Sequence, residues 1–279
     1  MKIFTTRATL SGYLTEQKSL RKIIGLVPTM GALHAGHLSL IEQAHKESDV
    51  VVCSIFVNPT QFNDPGDLAK YPRPIESDIK KLENSECDVL FMPSVSEMYS
   101  EGEEWNISLN GLDSILEGKI RPGHYQGVTQ IVKKLFDTVM PDKAFFGQKD
   151  YQQVQVIAEL VRQYQIPVQL ITCPIVREAD GLAMSSRNVH LSAAEHQQAL
   201  VLSRALNLAQ QLFPVKTIPE VKDEISRFVK QTDGVELEYF EICDGKTLQP
   251  VTDKDDEPLV ALIAAKVGGI RLIDNVILE

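Results

Sequence analysis

Apolar positions in the first two thirds of the chain come in short runs separated by stretches of helical spacing. Ile23 to Val27 is a compact apolar run that Pro28 should end. From His37 to Ser48, Leu38, Ile41 and Ala44 recur near the helical period, which predicts a helix. Asp49 to Val57 is β-branched and almost wholly apolar. A strand of that kind is buried on both faces, as in a parallel sheet covered by helices. Asp88–Met92, Lys143–Phe146 and Val168–Thr172 predict further strands, with helices at Ile75–Asn84, Gly127–Val139 and Tyr151–Tyr164. Such alternation predicts a Rossmann-like, doubly wound parallel α/β sheet.

The pattern changes after Arg187. Ser192 to Phe213 reads as one long helix, with Ser192 as N-cap and Ala199, Leu202, Leu206, Ala209 and Leu212 as its apolar stripe. A second helix follows Pro219. Val235–Cys243, Leu259–Val267 and Ile270–Leu278 then predict three neighbouring strands. Helices followed by adjacent strands make a smaller α+β unit with an antiparallel sheet. The expected division is a catalytic domain over residues 1–185 and a C-terminal lid domain over 186–279. Asp253 to Glu257, D-K-D-D-E, reads as a solvated hairpin turn.

Composition narrows the classes. The chain has 279 residues, 43% apolar and 24% charged, ordinary values for a globular protein of one large or two unequal domains. Lysine and arginine number 28 against 38 aspartates and glutamates, a net charge of −10. That field repels nucleic acid, so no nucleic-acid partner is expected, and an anionic substrate must be held by a few placed groups. The four cysteines, Cys53, Cys87, Cys173 and Cys243, contain no C-x-x-C pair and read as buried thiols of a cytoplasmic protein. No apolar run approaches the roughly 20 residues of a membrane span, and Met1 to Gln17 lacks the apolar centre of a signal peptide. No membrane partner is expected.

The densest chemistry lies in Val27 to Ile41, V-P-T-M-G-A-L-H-A-G-H-L-S-L-I, where a buried strand should turn into a helix. Ligands of open α/β sheets bind at such turns. Gly31 and Gly36 would allow close backbone approach, and a helix starting near His37 would offer free N–H groups to phosphate. His34 and His37, three apart, can face one ligand and donate hydrogen bonds to phosphate without fixed positive charge. The plainer reading is a helix-capping or packing pair. Zinc is a weaker rival, since no cysteine or third histidine is near in sequence.

Four further stretches follow predicted elements. In Phe145 to Gln153, F-F-G-Q-K-D-Y-Q-Q, Gly147 gives close approach, Lys149 a mobile charge for an α- or β-phosphate, and Asp150 a ribose contact or helix cap. In Gly181 to Asn188, G-L-A-M-S-S-R-N, the donors Ser185, Ser186 and Arg187 form an anion cradle or an ordinary helix start. In Ser54 to Phe62, S-I-F-V-N-P-T-Q-F, Asn58 and Gln61 are neutral hydrogen-bonding groups suited to a small polar substrate, or else turn residues. Lys119 to Gly127, K-I-R-P-G-H-Y-Q-G, is a turn before a helix or a substrate or interface loop. No hydrolase elbow and no G-x-x-x-x-G-K-[ST] loop is present. Two phosphate-gripping turns and a histidine pair suit attack on an α-phosphate with pyrophosphate leaving. A different adenylyltransferase and a non-enzymatic nucleotide- or RNA-binding module are the alternatives. The first should carry more cations for a phosphorylated acceptor, and the second is opposed by the net charge.

Together these motifs, with K-Y-P-R at residues 70–73 and R-P-G-H-Y-Q-G-V at 121–128, resemble the pantoate–β-alanine ligase family. The likeness is close over residues 1 to about 190 and one of arrangement beyond. H-x-G-H alone marks only the broader nucleotidyltransferase superfamily, shared with class I aminoacyl-tRNA synthetases. The resemblance implies a two-step reaction. Pantoate carboxylate attacks the ATP α-phosphate to give pantoyl adenylate and pyrophosphate, and the β-alanine amine then displaces AMP to give pantothenate. It implies an ATP site formed by Met30, Gly31, Ala32, Leu33, His34, Ala35, Gly36, His37, Gly147, Gln148, Lys149, Asp150, Val176, Met184, Ser185, Ser186 and Arg187. His34, His37, Lys149, Ser185, Ser186 and Arg187 would serve catalysis, with His37 as proton donor. Gln61 and Gln153 would bind pantoate. Mg²⁺ would arrive with the nucleotide, with Asp78 as a protein contact, and the chain would form homodimers through its N-terminal domain. Gln148, Pro74 and Asp137 depart from the family pattern, which commonly has glutamate, threonine and asparagine there.

Overall fold

The computed structural model describes residues 1–254 and 258–278. In chain order the first part runs β1 (Lys2–Phe4), α1 (Arg7–Ser19), β2 (Ile24–Thr29), α2 (Ala35–Glu47) and β3 (Val50–Ile55). It continues through α3 (Pro65–Lys70), α4 (Ile75–Glu83), β4 (Val89–Phe91), α5 (Val95–Met98), α6 (Leu116–Ile120), α7 (His124–Val139), β5 (Lys143–Gly147), α8 (Tyr151–Tyr164) and β6 (Gln169–Cys173). The second part comprises α9 (Ala193–Leu212), α10 (Ile218–Lys230), β7 (Val235–Asp244), β8 (Leu259–Val267) and β9 (Ile270–Leu278).

The chain divides into two compact units. One holds residues 1–147 and 152–174; the other holds 148–151 and 175–279. In the first, six strands form a parallel sheet in the order β1-β4-β3-β2-β5-β6. This is the doubly wound arrangement the alternation predicts. Every residue of β3 is buried, because helices cover both faces of that strand's sheet. Leu40, Ile41 and Ala44 of α2 pack with Val27, Val51, Cys53 and Phe145 in the core beneath it. Strand order reverses between β2 and β5, so their carboxyl ends border the crevice where such sheets take ligands.

In the second unit β7, β8 and β9 form an antiparallel sheet. Helix α9 starts as expected: the Ser192 hydroxyl accepts the Glu195 N–H, and the Glu195 carboxylate accepts the Ser192 N–H. Ala199, Leu202, Leu206 and Ala209 join Val221, Ile225, Ile242, Ala261 and Ile263 in one core. Residues 255–257 of the expected 253–257 hairpin turn lie outside the described residues.

Two boundaries differ from expectation. Pro28 does not end β2, which runs on to Thr29 with Pro28 opposite Ser54 of β3. The ring forfeits one donor but fits an extended backbone. Helix α2 begins at Ala35, so Gly36 lies inside it and His37 in its first turn. All four cysteines are buried free thiols, and burial pushes Cys87 and Cys173 up to about 11. Among the described residues no helix is long and apolar enough to cross a membrane.

Candidate active site

The turn after β2 is fixed from beneath. The Thr29 hydroxyl donates to Ser54 O at 2.7 Å and accepts the Gly31 N–H at 3.1 Å. The backbone then enters left-handed geometry at Gly31 (φ 81°) and Ala32 (φ 50°). A Cβ on Gly31 would stand 3.0 Å from Ile55 and 3.1 Å from the Asp78 carboxylate, so glycine is demanded twice over. Ala32 is strained by roughly 1–2 kcal/mol in that region. What holds it is Asp78. One carboxylate oxygen accepts the Ala32 N–H at 2.7 Å and the other the Leu33 N–H at 2.8 Å. Each bond to a charged group contributes about 1.5–3 kcal/mol, enough to outweigh the strain. Lys81 Nζ lies 3.9 Å from the same carboxylate and donates to Leu33 O, offsetting the buried charge.

Asp78 is fully buried, with both oxygens turned onto the loop amides. The metal contact expected of it therefore gives way to a loop-holding role. Neither oxygen faces solvent, where a hydrated cation would have to bind.

His34 caps α2 and His37 stands one turn inside it. Their rings lie 4.0 Å apart and tilted by 34°. His37 Nδ1 accepts the His34 main-chain N–H at 3.4 Å. Both are half-buried, and Ala35 beside them is exposed. The turn thus brings the two imidazoles together at a helix N-terminus, where the positive dipole end favours anions.

The turn after β3 is tied to α7. Asn58 is 1% exposed, and its amide donates to Gln61 Oε1 and to Gly127 O, both at 3.0 Å. Its Oδ1 accepts from the Tyr99 hydroxyl at 2.5 Å and the Thr60 hydroxyl at 3.1 Å. Asn58 is saturated by protein groups, so it corrects to a positioning role rather than a substrate contact. It fixes the Gln61 carboxamide with Nε2 directed to Met30 Sδ at 3.3 Å. His124 Nδ1 lies 2.8 Å from Gln61 O, so the K-I-R-P-G-H-Y-Q-G stretch braces this turn. Burial pushes the Tyr99 hydroxyl up to about 12, keeping it a donor at neutral pH. Gln153 is half-buried on α8, with no side-chain hydrogen bond among the described residues. Neighbouring Gln152 is consumed by Leu112 O, Ile115 O and the Glu117 N–H. At the end of β5, a Cβ on Gly147 would meet open space.

In the second unit, Gln148, Lys149 and Asp150 form a 3-10 turn. Among the described residues the Lys149 ammonium has no hydrogen-bond or ion-pair partner, and Asp150 is exposed. Residues 176–184 form a narrow hairpin: Met184 N–H donates to Val176 O at 3.0 Å, and Arg177 pairs with Ala183. It delivers Ser185, Ser186 and Arg187, where the Ser185 hydroxyl accepts the Arg187 N–H at 3.3 Å. The Asn188 amide ties this segment to Glu178 at 2.7 Å and Ala183 O at 3.1 Å. Among the described residues, the grouping of metal-capable side chains is Glu178, Asp180 and His196, already closed by a 2.8 Å bond between His196 and Asp180.

The residues that sequence reasoning missed are supports. Tyr99, Arg177, Asp274 and Asn275 hold candidate residues from distant parts of the chain. Only the polar pair Asp274-Asn275 inside an apolar strand pattern signalled itself.

The family model for pantoate–β-alanine ligase matches residues 2–277. The chain is 47% identical over 277 residues to a pantothenate synthetase of Bacteroides thetaiotaomicron, covering 99% of this chain and 98% of the relative. It is 47% identical over 280 residues to one of Thermotoga petrophila, covering 100% of both. Among solved structures, pantothenate synthetase from Thermus thermophilus superposes with a TM-score of 0.93 at 39% identity, over 99% of each chain. A Francisella tularensis pantoate–β-alanine ligase, complexed with β-γ ATP and β-alanine, gives 0.83 at 35% identity, over 99% of this chain and 97% of that one.

Proposed function

The chain belongs to the pantoate–β-alanine ligase family, and we propose which of its groups carry each part of that reaction. It is a carbon–nitrogen ligase that uses ATP to join pantoate to β-alanine. Pantoate is activated as its adenylate with release of pyrophosphate. The amine of β-alanine then attacks the acyl carbon, and AMP leaves with the bridging oxygen.

The observation that carries the assignment is the imidazole pair at the N-terminus of α2, at the carboxyl end of β2. There His34 and His37 donate hydrogen bonds to the phosphates as negative charge shifts onto pyrophosphate. Lys149, whose ammonium has no hydrogen-bond or ion-pair partner among the described residues, would supply a point charge to phosphate. Ser185, Ser186 and Arg187 add hydroxyl and guanidinium donors. Gly147, where a Cβ would meet open space, leaves room for the nucleotide. Gln61, its orientation locked by Asn58, binds pantoate, and Gln153 joins it with a carboxamide that makes no hydrogen bond among the described residues.

Mg²⁺ would come bound to the ATP phosphates and supply charge neutralisation there. It commonly keeps several waters and needs few protein ligands. Asp78 does not fit as one of them. The protein acts in the cytoplasm as a homodimer, a reading supported by its buried thiols and the family resemblance; sedimentation of the purified chain checks the dimer.

The test supplies ATP, pantoate and β-alanine and then omits each in turn. Pyrophosphate and pantoyl adenylate should form in the first turnover with ATP and pantoate alone, and AMP and pantothenate only when β-alanine is added. ADP and phosphate would mean an acyl phosphate, and the imidazole argument would be wrong.

A further inference from the structure

Two adjacent buried polar residues stand in β9, the last strand of an apolar sheet: Asp274 at 3% exposure and Asn275 at 1%. Neither takes part in the chemistry assigned above. A buried charge and a buried carboxamide survive in such a place only with full sets of partners. Neighbouring residues on a strand point to opposite faces, so one dipeptide can reach two different segments.

Asn275 reaches the turn after β5. Its Nδ2 donates to Gln148 O and to Lys149 O, both at 2.9 Å. Its Oδ1 accepts from Gln148 Nε2 at 3.2 Å. Both donors and the acceptor are thereby used. The main chain of Lys149 is clamped while its ammonium has no partner among the described residues. Gln148 thus gains a role that depends on its being an amide: a glutamate there could not donate to Asn275 Oδ1.

Asp274 reaches the 176–184 hairpin. Its two oxygens accept the Arg177 guanidinium as a fork, at 2.6 and 3.0 Å. One oxygen also accepts the Asn275 N–H at 2.8 Å. The same guanidinium donates to Gly181 O at 3.2 Å, bracing the hairpin across its tip. Ser185, Ser186 and Arg187 follow directly.

We propose that Asp274 and Asn275 are positioning residues for adenylate formation, setting the Gln148–Lys149 turn and the segment leading to Ser185–Arg187 from one strand. The proposal rests on the assignment of those two segments to ATP. A packed apolar pair would fill the same space without the desolvation of an ion pair. What the polar pair adds is a defined register for two loops that the sheet does not otherwise fix.

The test uses the isosteric variants Asn275→Asp and Asp274→Asn, with Asn275→Ala and Lys149→Ala beside them. Single-turnover adenylate formation at saturating ATP and pantoate is measured first. Amine transfer is then measured from supplied pantoyl adenylate. Asn275→Asp turns a carboxylate onto two carbonyl oxygens and should slow adenylate formation by about a hundredfold, the effect of a misplacement near 1 Å. Asp274→Asn should lower the same step by about tenfold, because a neutral amide weakens the charged fork without removing it. Amine transfer should change by less than about threefold in both, since pyrophosphate has already left.

Equal loss in both steps, together with a lowered melting temperature, would mean a merely structural role and would overturn the proposal. Wild-type adenylation in both isosteric variants, with Lys149→Ala strongly impaired, would overturn it and leave the ATP assignment standing. Unimpaired adenylation in Lys149→Ala would overturn the ATP assignment of the turn and the proposal with it.

Discussion

His37 Nδ1 accepts the main-chain N–H of His34 at 3.4 Å, and the two rings lie 4.0 Å apart. A ring nitrogen that accepts a hydrogen bond carries no proton, so the neutral His37 ring bears its proton on Nε2. The capping role and the chemical role thus belong together: the cap selects the tautomer that leaves an N–H directed away from the helix.

That tautomer makes His37 a hydrogen-bond donor that does not need to be charged. Glutamine keeps a donor at comparable reach and alanine does not. His37→Gln should therefore retain at least about a tenth of the single-turnover adenylation rate, while His37→Ala loses about a hundredfold. ATP binding is measured separately for each variant. Failure of both, with wild-type activity falling as pH rises through about 6.5, would make the ring an acid instead.

The second expectation concerns Gly127, in the first turn of α7. A Cβ there would stand 2.4 Å from Thr60 O and 2.6 Å from Gln61 N, against backbone that cannot swing aside. Gly127→Ala must push the Pro59–Gln61 turn off α7 and break the Asn58 bond to Gly127 O. Overpacking of this kind destabilises by about 1–3 kcal/mol. Because the displaced turn carries Gln61, KM for pantoate should rise about tenfold or more. KM for ATP should stay near wild type. A variant that is destabilised but has unchanged pantoate kinetics would detach Gln61 from pantoate binding.

Most of the residues proposed for the chemistry stood out as candidates because they sit at strand–helix turns, and such turns are marked by local signals. Runs such as Val50–Ile55 announce a buried parallel strand, and histidines, glycines and a lysine directly after such runs announce a site. The supports were not legible. Asp78 lies on α4, and nothing in its sequence neighbourhood says that its oxygens reach Ala32 and Leu33, 46 and 45 residues away. Asn58 looked like a substrate ligand because its carboxamide is the right chemistry; its partners Tyr99 and Gly127 come from elsewhere in the chain. Helix α1 went unseen because its face buries mainly Leu10 and Leu14. Two contacts make too weak a stripe to stand out from a polar segment.

The hairpin leading to Ser185 should respond to acid in a defined direction. The hydrogen bond from His196 holds the Asp180 carboxyl below its ordinary range. A carboxyl whose folded pKa is depressed contributes stability above its unfolded value, near 3.9, and loses it as pH falls through the folded value. In His196→Ala the Asp180 carboxyl should titrate higher, toward that unfolded value. Carbon NMR of the Asp180 side chain from pH 2 to about 6 checks this. An unchanged midpoint would show that the bond to His196 does not form in solution.

The last expectation separates a loop-holding carboxylate from a metal ligand. Asp78 accepts two main-chain N–H groups, one on each oxygen. Asp78→Asn preserves shape and volume, but its amide can accept at only one of those positions. At the other an NH₂ group faces an N–H, and the left-handed Ala32 loses the bond that offsets its strain. The turn bearing His34 should then relax, and adenylate formation should fall by about a hundredfold. The concentration of Mg²⁺ giving half-maximal rate should stay the same, because both oxygens of Asp78 are engaged by main-chain N–H groups. A carboxylate that ligated the metal would behave otherwise: excess Mg²⁺ would restore much of the rate, and the half-maximal concentration would rise by about tenfold or more. Titrating Mg²⁺ at saturating ATP for wild type and Asp78→Asn decides between them, and restoration by the metal would return Asp78 to the nucleotide's cation.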